Sequence, residues 1–322
     1  MRHLVFKRPR HPRGLGDRWG LSLRFGLWVF AHVRRFDVVH VHYVWSLGSV
    51  LGVLAGVVWR RPVVMTPHES LTTFGIDHSR SRARRLQKLL VRRFLLAGVT
   101  RVIVASELEA ADSRLSERRC RVIAHPVSAG DATAPRSPRA RTSAVTVGFL
   151  GRLHQKKRVG DVVDAVAGMD DGTRLIIAGD RPNPEFADLR GRIATEGLTH
   201  RVVLLGFVSP TERAAFLASI DVLAMPSEYE CFGMAAAEAL AAGVPVIVSD
   251  RTGIAGIVRE HDAGRVVGVG VPADIRLAVR EIVADDMTHS RFRENARMAA
   301  QNRLAPCAYA KAIREVYDQV TR

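Results

Sequence analysis

Short runs of apolar, β-branched residues alternate along the chain with longer stretches in which apolar residues recur at helical spacing. The runs of the first half are residues 37–42, 62–66, 101–105 and 121–124. A second series follows at residues 145–150, 174–178, 201–205, 221–225 and 245–248. The runs of the second series are almost wholly apolar, so each fits a strand that helices cover on both faces. The alternation predicts parallel α/β architecture in both halves.

One helical stretch, residues 81–97, has apolar residues on one side and arginines on the other, which predicts an amphipathic and strongly basic helix. Its apolar positions are Leu86, Leu89, Leu90, Phe94 and Ala97. The longest apolar stretch, residues 44–59, is short for a membrane span, which needs about 20 residues, and therefore predicts a buried helix. Further helical stretches, at residues 273–284, 289–302 and 307–320, close the chain.

The composition changes at residues 128–143 toward Ala, Pro, Ser and Arg, which predicts a linker. We therefore expect two doubly wound, Rossmann-like α/β domains, at residues 1–135 and 136–305. A terminal helix, residues 306–322, is expected to pack back on the first domain. Parallel sheets of this kind bind ligands at the carboxyl ends of their strands, so function is expected in the cleft that the two sheets face.

Charge is distributed unevenly. The 322 residues include 48 Lys+Arg and 32 Asp+Glu, a formal net charge of +16. Residues 1–125 hold 23 of the basic and 8 of the acidic residues, so the first half is strongly basic and the second nearly neutral. A charge of this size indicates an anionic partner: nucleic acid, a phosphorylated ligand or anionic lipid. A hydrophobic content of 47% excludes disordered and fibrous classes.

Cysteine usage and the N-terminus bear on the compartment. Cys120, Cys231 and Cys307 lie far apart, without the spacing of a zinc ribbon or a disulfide framework. This usage fits a reducing environment. The N-terminal residues lack the continuous apolar core of a secretory signal, and we expect a cytoplasmic protein.

The segment at residues 226–240 has the strongest chemical signal. It follows a predicted strand and contains, in order, Glu230, Phe232, Gly233 and Glu238. A helix that begins within it presents backbone N–H groups and a positive dipole end, which suit a phosphate or a sugar hydroxyl. The alternative is that Glu230 merely favours a first helical turn and that Glu238 is solvated. Because Glu238 lies among Ala and Leu, the functional interpretation is favoured.

A second segment, residues 148–158, follows the first strand of the second domain. It contains Arg152 and Lys157, a guanidinium fork and an ammonium that suit a diphosphate. Taken alone this signal is weak, because basic loops are usually solvated.

Together the two segments resemble the retaining glycosyltransferases of the fourth family, which have the GT-B fold. That family has a Gly-Arg-Leu…Lys loop followed by a Glu-x7-Glu motif, and the spacing of Glu230 and Glu238 matches the motif. The likeness covers residues 145–265. Arg158 departs from it, because the family usually has Gly there, and adds charge near the expected phosphates.

The resemblance implies a role for each matching residue of the second domain. Arg152 and Lys157 bind the diphosphate of the donor, and Glu238 binds its ribose hydroxyls. The remaining contacts, to the transferred sugar and to the base, come from Glu230, the backbone of Phe232 and Gly233, and the loop around Val208.

In the first half, His68 matches the family histidine that faces the donor sugar, so Glu230 and His68 are the catalytic candidates. A lone histidine after a strand is more often structural, and the residues alone would not select His68. His40 and His42 alternate with valines, and we interpret them mainly as packing residues.

The resemblance implies a reaction without metal or cofactor. The chain has no strict Asp-x-Asp, with which a different glycosyltransferase fold holds a divalent ion. Arg152, Lys157 and a helix N-terminus would instead stabilise the leaving nucleoside diphosphate of a UDP- or GDP-sugar. Front-face substitution with retention is implied as well, and no carboxylate nucleophile of the glycosidase kind is evident.

The expected function is sugar transfer to a lipid-linked or polysaccharide acceptor in cell-envelope or exopolysaccharide synthesis. The alternative is a catalytically silent binding subunit with the GT-B fold. The tryptophans and basic helix of the first half make an anionic membrane surface a candidate partner, unless the tryptophans are core and the arginines solvated. Nucleic acid is not expected, because the arginines come without a recognisable binding motif.

The first domain is expected to be shortened. Family members begin with a strand, a Gly-rich loop and further strands before the strand that matches residues 37–42. Here 36 residues precede that strand, and residues 2–6 and 14–16 are candidates for a remnant strand and loop.

Overall fold

A computed structural model of the chain describes residues 23–79, 81–128, 144–179 and 184–322. The chain divides into two compact units, Met1–Ile123 with Ala310–Arg322, and Ala124–Tyr309. The candidate N-terminal strand and loop and nearly all of the predicted linker lie outside the described residues.

The first unit is built on a parallel sheet. Its elements are helix α1 (Leu23–His32), a 3-10 turn (Val33–Arg35), strand β1 (Val39–His42), helix α2 (Leu47–Val58), strand β2 (Val63–Thr66), helix α3 (Thr73–Asp77), helix α4 (Arg82–Gly98), strand β3 (Arg101–Val104), helix α5 (Glu107–Asp112) and strand β4 (Cys120–Val122). Within the described residues the strand order is β1-β2-β3-β4, all parallel. The four predicted strands of this half are confirmed.

The predicted buried helix at residues 44–59 is α2, and small residues let it approach the sheet. Ser49, Gly52, Ala55 and Gly56 are among its buried positions. A Cβ at Gly52 would stand 2.8 Å from Cγ1 of Val41 on strand β1. Ser46 caps the helix by accepting a hydrogen bond from the backbone N–H of Ser49 (3.1 Å).

Helix α4 packs on the first unit through a narrow stripe. Leu95 is fully buried, and Val91 and Leu96 pack partly against the same core. The predicted apolar side is exposed instead, at Leu86, Leu89, Leu90 and Phe94. The helix is therefore amphipathic as predicted, but its wider apolar stripe lies at the surface.

The second unit contains a larger parallel sheet. Its elements are β5 (Thr146–Leu150), a 3-10 turn (Gln155–Lys157), α6 (Val159–Ala167), β6 (Arg174–Ala178), α7 (Pro184–Thr195), a 3-10 turn (Leu198–His200), β7 (Val202–Gly206), α8 (Pro210–Ser219), β8 (Val222–Met225), α9 (Met234–Ala241), β9 (Val246–Ser249), α10 (Ala255–Glu260), β10 (Gly264–Val267), α11 (Pro272–Ile282) and α12 (Asp286–Arg303). A last helix, α13 (Pro306–Thr321), counts with the first unit from Ala310 onward.

The order of the second sheet is β10-β9-β8-β5-β6-β7. The chain therefore runs outward from β5 through β6 and β7, then returns to the other side of β5 with β8. This reversal is the switch point of a doubly wound sheet, where neighbouring loops diverge and leave room for a ligand. All five predicted strands of this half are confirmed, and β10 is an additional strand that the sequence pattern did not indicate.

One face of the second sheet is closed by helices α6 and α11. Their buried residues share a core with the side chains of β5, β6, β8 and β9 that point to that face: Val162, Val163, Val166, Ile275, Val279, Ile282, Val147, Phe149, Leu175, Ile177, Val222, Ala224 and Ile247. This packing fixes the strand ends from which the candidate site is built.

Candidate functional site

The two segments selected from the sequence lie side by side at the carboxyl edge of the second sheet. Arg152 and Lys157 belong to the loop after β5, and Glu230 belongs to the loop after β8. Strands β5 and β8 are paired in the sheet, and they flank the switch point. The topology thus brings together residues that are far apart in sequence.

An ion pair joins the two loops. The Nζ atom of Lys157 donates to Oε1 of Glu230, and each side chain is only 14% exposed. A second tie is a backbone hydrogen bond from the N–H of Glu228 to the carbonyl of Lys156 (2.8 Å). The sequence placed both charged residues in one site, but contained no sign that they pair directly.

The loop of Glu230 is held rigidly by the segment after β9. The Glu230 N–H donates to the carbonyl of Arg251 (3.1 Å), and its carbonyl accepts from the N–H of Gly253 (2.9 Å). The carbonyl of Phe232 accepts from the N–H of Ile254 (2.8 Å). These hydrogen bonds fix the backbone of Glu230, so its carboxylate is held in a defined position relative to the other residues of the site.

Helix α9 begins at the predicted place, directly after Gly233. Gly233 has φ of 104°, in the region that favours glycine. A Cβ at this position would stand 2.8 Å from Cε of Met225 and 2.9 Å from Cγ2 of Thr252. Conformation and space both require glycine here. The turn lets α9 start beside Glu230, with its first N–H groups at the same edge of the sheet.

Glu238 is paired rather than simply solvated. Its Oε1 atom accepts a hydrogen bond from Nη1 of Arg213 on helix α8 (2.7 Å), and the Glu238 side chain is mostly buried. Sequence reasoning missed Arg213, because nothing in the local pattern of α8 links it to a helix 25 residues further on. The guanidinium holds the carboxylate in one orientation.

Arg152 and Val208 lie at the surface of the same edge. Arg152 is exposed, and its guanidinium forms no ion pair within the part of the chain that the structure describes. Val208 is half-buried in the turn between β7 and α8, next to the exposed Phe207. Their assigned ligand contacts, to the diphosphate and the base, stay predictions.

Arg158 adopts the left-handed conformation, with φ of 55°, at the position where the resembling family usually has glycine. Its guanidinium forms a fork with Asp161, from Nε to Oδ2 (2.9 Å) and from Nη2 to Oδ1 (3.0 Å). The turn thus keeps a glycine-like backbone. The added charge is directed to Asp161, which it neutralises.

His68 lies in the first unit, in the turn after β2, and is not alone. Nε2 of His68 is 3.0 Å from Nδ1 of His42. His42 is exposed, while His40 is half-buried and hydrogen-bonded through both ring nitrogens, to Thr66 and Tyr317. The interpretation of His42 as a packing residue is therefore wrong. Two histidines of β1 and one beyond β2 form a cluster because the two strands pair in register.

Neither a metal cluster nor a membrane span is found among the described residues. No group of three or more His, Cys, Asp or Glu in that part of the chain is placed to hold a metal ion. None of the described helices is both long and apolar enough to cross a membrane.

Comparison with protein families gives two matches. Residues 132–299 match the family Glycosyl transferases group 1, and residues 2–130 match Glycosyltransferase Family 4. The two matches together cover nearly the whole chain, and the first covers more than half of it.

Comparison with individual proteins gives relatives at 33% and 29% sequence identity. The chain is 33% identical over 142 residues to the 2-deoxystreptamine glucosyltransferase of Streptomyces kanamyceticus. The aligned stretch covers 43% of this chain and 36% of that protein. Over 282 residues it is 29% identical to the D-inositol 3-phosphate glycosyltransferase of Corynebacterium glutamicum, 81% of this chain and 67% of that protein. The chain thus spans about a third of the first relative and two thirds of the second.

The fold is shared with solved structures. HepE of Anabaena, crystallised with UDP-glucose, matches with a TM-score of 0.78 at 21% identity, over 98% of this chain and 85% of that chain. This likeness confirms the expected GT-B fold with two Rossmann-like domains. Taken with the match over residues 132–299, it leads to one conclusion: the chain belongs to the family of group 1 glycosyltransferases.

Proposed function

We propose that this chain transfers a sugar, with retention of configuration, from a nucleoside diphosphate sugar to a hydroxyl acceptor. The observation that carries the proposal is the Lys157–Glu230 pair at the switch point of the second sheet. It sets a cation and a carboxylate side by side, next to the start of helix α9. Those are the groups that a sugar attached to a diphosphate would engage.

The donor diphosphate is assigned to Arg152 and Lys157. Arg152 offers an exposed guanidinium, and Lys157 an ammonium whose charge is balanced by Glu230. A UDP- or GDP-sugar is the proposed donor, and the crystal structure of HepE in complex with UDP-glucose supports this class. When a diphosphate competes for the Lys157 ammonium, the Glu230 carboxylate can turn to hydroxyls of the transferred sugar.

The nucleoside end is assigned to Glu238 and to the turn around Val208. A carboxylate can accept hydrogen bonds from two neighbouring ribose hydroxyls, and Arg213 holds the Glu238 carboxylate in place from the other side. The half-buried Val208 and the exposed Phe207 supply an apolar surface for a base. His68, in the first unit, is assigned to the same reaction on the family resemblance alone.

The proposed reaction breaks the bond between the anomeric carbon and the diphosphate oxygen, and the electron pair leaves with the diphosphate. Arg152, Lys157 and the first N–H groups of α9 stabilise the charge that develops there, without a metal ion. The acceptor hydroxyl attacks from the same face and passes its proton to the departing phosphate oxygen. Configuration at the anomeric carbon is thereby retained.

Turnover of a panel of UDP-, GDP- and ADP-sugars tests the proposal. We expect nucleoside diphosphate release with one class of donor, and a loss of about a hundredfold or more in Glu230→Ala. Glu228→Ala is the matched control, because Glu228 is exposed two residues earlier in the same loop, and it should stay within about threefold. Binding without turnover would instead indicate a silent binding subunit. NMR of the anomeric proton of the product tests retention.

For the acceptor, we propose a lipid-linked or polysaccharide substrate of cell-envelope or exopolysaccharide synthesis, met at the cytoplasmic face of a membrane. Helix α4 supports this part. Leu86, Leu89, Leu90 and Phe94 form an exposed apolar stripe, and arginines lie beside it along the helix. Apolar side chains flanked by arginines suit an anionic bilayer surface. Cys120, Cys231 and Cys307 form no disulfide with one another, which fits a reducing compartment.

Vesicle sedimentation tests the membrane part separately from sugar transfer. We expect binding to vesicles that contain phosphatidylglycerol and little binding to pure phosphatidylcholine. Leu90→Glu should weaken binding. Leu277→Glu should not, because Leu277 has the same exposed fraction of 60% but lies on helix α11 of the second unit. Equal sedimentation with both vesicle types, or equal effects of the two variants, would refute membrane docking through α4.

A further inference from the structure

A line of aromatic rings runs from the terminal helix to His68 in the first unit. The hydroxyl of Tyr317 is 2.7 Å from Nδ1 of His40, and Nε2 of His40 is 2.8 Å from Oγ1 of Thr66. The ring of His40 stacks on that of His42, with 4.4 Å between centroids. His42 in turn stacks on His68, at 5.3 Å, and shares a hydrogen bond with it.

His68 itself lies in a strained turn. The backbone φ angles of His68 and Glu69 are 48° and 70°, a region that residues other than glycine seldom adopt. The buried carboxylate of Glu109 stabilises the turn. Its oxygens accept hydrogen bonds from the backbone N–H groups of Glu69 (2.7 Å) and Ala105 (2.8 Å). The backbone of His68 is thus fixed through Glu109, while its ring is fixed through His42.

We propose that His42 is a positioning residue for His68 and sets the tautomer and direction of its imidazole for the reaction. The inference rests on the proposed sugar transfer, because it gives His42 a part in that reaction. His42 does so through the shared hydrogen bond, and Tyr317 and Thr66 hold His40 as the platform on which His42 stacks.

The shared hydrogen bond constrains the protons of both rings. When two neutral imidazoles meet through Nδ1 of His42 and Nε2 of His68, one of these nitrogens has the proton and donates it in the hydrogen bond that the other nitrogen accepts. The proton on His68 is therefore coupled to the state of His42. Because Nε2 of His68 is committed to His42, the direction of Nδ1 in His68 is set as well.

The hydrogen bond needs at least one of the two rings to be neutral, and the surroundings favour the neutral form of both. Partial enclosure of the ring by protein lowers the pKa of His42, and partial enclosure together with the charge of His42 lowers that of His68. Among the titratable groups around the pair, His40 on the same strand stacks on His42, and Tyr43 after that strand packs against His68. Tyr317 on helix α13 contacts His40 rather than the pair itself. The carboxylate of Glu69 interacts electrostatically with that of Glu109.

Kinetics of two His42 variants test the proposal. The amide of Asn can occupy the place of Nδ1, so His42→Asn should keep kcat within about threefold of the wild type. His42→Phe keeps the stacking but loses the hydrogen bond, and we expect kcat to fall by about tenfold while KM for the donor changes little. His78→Phe is the control, since exposed His78 follows helix α3 and contacts Phe74 of that helix, through Nδ1 to its carbonyl and through its ring.

Long-range 1H–15N NMR of the protein without substrate gives a readout that does not depend on turnover. We expect one tautomer of His68 in the wild type and in His42→Asn, and a mixture in His42→Phe. A single unchanged tautomer in His42→Phe, or a full kcat in that variant, would overturn the positioning role. If no donor is turned over by the wild type, the proposed function fails, and the NMR result still decides whether His42 orients His68.

Discussion

At the scale of single residues, positive φ angles show where the backbone of the site is specialised. Gly233 turns the chain into helix α9, and Arg158 holds a left-handed turn before helix α6. The glycine is required by its neighbours as well as by its conformation, because Met225 and Thr252 fill the space where a Cβ would lie. Arg158 accepts the conformation and offsets its cost through the fork to Asp161.

Gly233→Ala should therefore destabilise the protein by about 2 kcal/mol, because it adds strain at positive φ and two close contacts. Gly191→Ala is the matched control. Gly191 lies within helix α7. Apart from its chain neighbours and the backbone of that helix, no atom of the described residues stands within 4 Å of the place that an alanine methyl would occupy, so alanine there should stabilise by about 0.5 kcal/mol. Urea unfolding of both variants checks this, and equal midpoints would contradict the account of the turn.

Acid stability should depend on His40. Burial, and then the charges of His42 and His68, lower the pKa of His40 from 6.5 to about 4. Between these values the unfolded chain binds a proton that the folded protein does not, so the free energy of unfolding falls as the pH drops from 6.5 toward 4. His42 and His68 act in the same direction.

Replacing His40 should flatten that dependence. Between about pH 7 and about pH 4.5, the free energy of unfolding of His40→Gln is expected to fall by about 2 kcal/mol less than that of the wild type. Urea unfolding at the two pH values measures this difference. The carboxylates contribute equally in the two proteins, so their contribution cancels when the two losses of stability are compared. Parallel losses in the two proteins would show that His40 is not held neutral by its surroundings.

The pairing of site residues could not be read from the sequence. Lys157 and Glu230 were each placed in the site because each lies in a short motif with its own chemistry. Their contact depends on β8 returning to the side of β5, which is a property of the whole sheet. The same holds for Arg213 with Glu238 and for His42 with His68, since in each case the partners lie on different elements.

At the scale of elements, strands were more predictable than helix faces. A strand buried on both sides needs a continuous apolar run, and Val63, Val64 and Met65 show the pattern plainly. Strand β10 escaped prediction because its four residues include Gly264 and Arg265. For a helix, periodicity identifies an apolar side but not what covers it, and in α4 the wider apolar stripe is exposed.

Helix α4 should accordingly tolerate change on its wide apolar side. Leu86 is 58% exposed, so Leu86→Ala should alter the free energy of unfolding by no more than about 0.5 kcal/mol. Leu95 is fully buried, and Leu95→Ala should cost about 3 kcal/mol. Chemical denaturation compares the two. A large loss of stability in Leu86→Ala, with a small loss in Leu95→Ala, would mean that helix α4 packs on the first unit through its wide apolar side instead.

At the scale of the whole molecule, charge and chemistry are divided between the two units. Most of the net charge of +16 belongs to the first half, yet the diphosphate is assigned to the nearly neutral second half, where a few cations suffice. The excess of arginine is thus not needed for the donor. It supports the proposed contact of the first unit with an anionic surface, for which helix α4 is the best placed element.

The central claim is that the loops beside the β5–β8 switch point bind a nucleoside diphosphate. Calorimetry of UDP against UMP, and of GDP against GMP, tests it most directly in the wild type and two arginine variants. Arg152 lies at the site, whereas Arg174 is equally an exposed arginine but lies at the opposite, amino-terminal end of strand β6.

For one of the two nucleotides, we predict that the diphosphate binds about tenfold or more tightly than the monophosphate. Arg152→Gln should remove about tenfold of the diphosphate affinity and leave the monophosphate affinity unchanged, and Arg174→Gln should change neither. No preference for either diphosphate, or equal losses in the two variants, would contradict the assignment of this site.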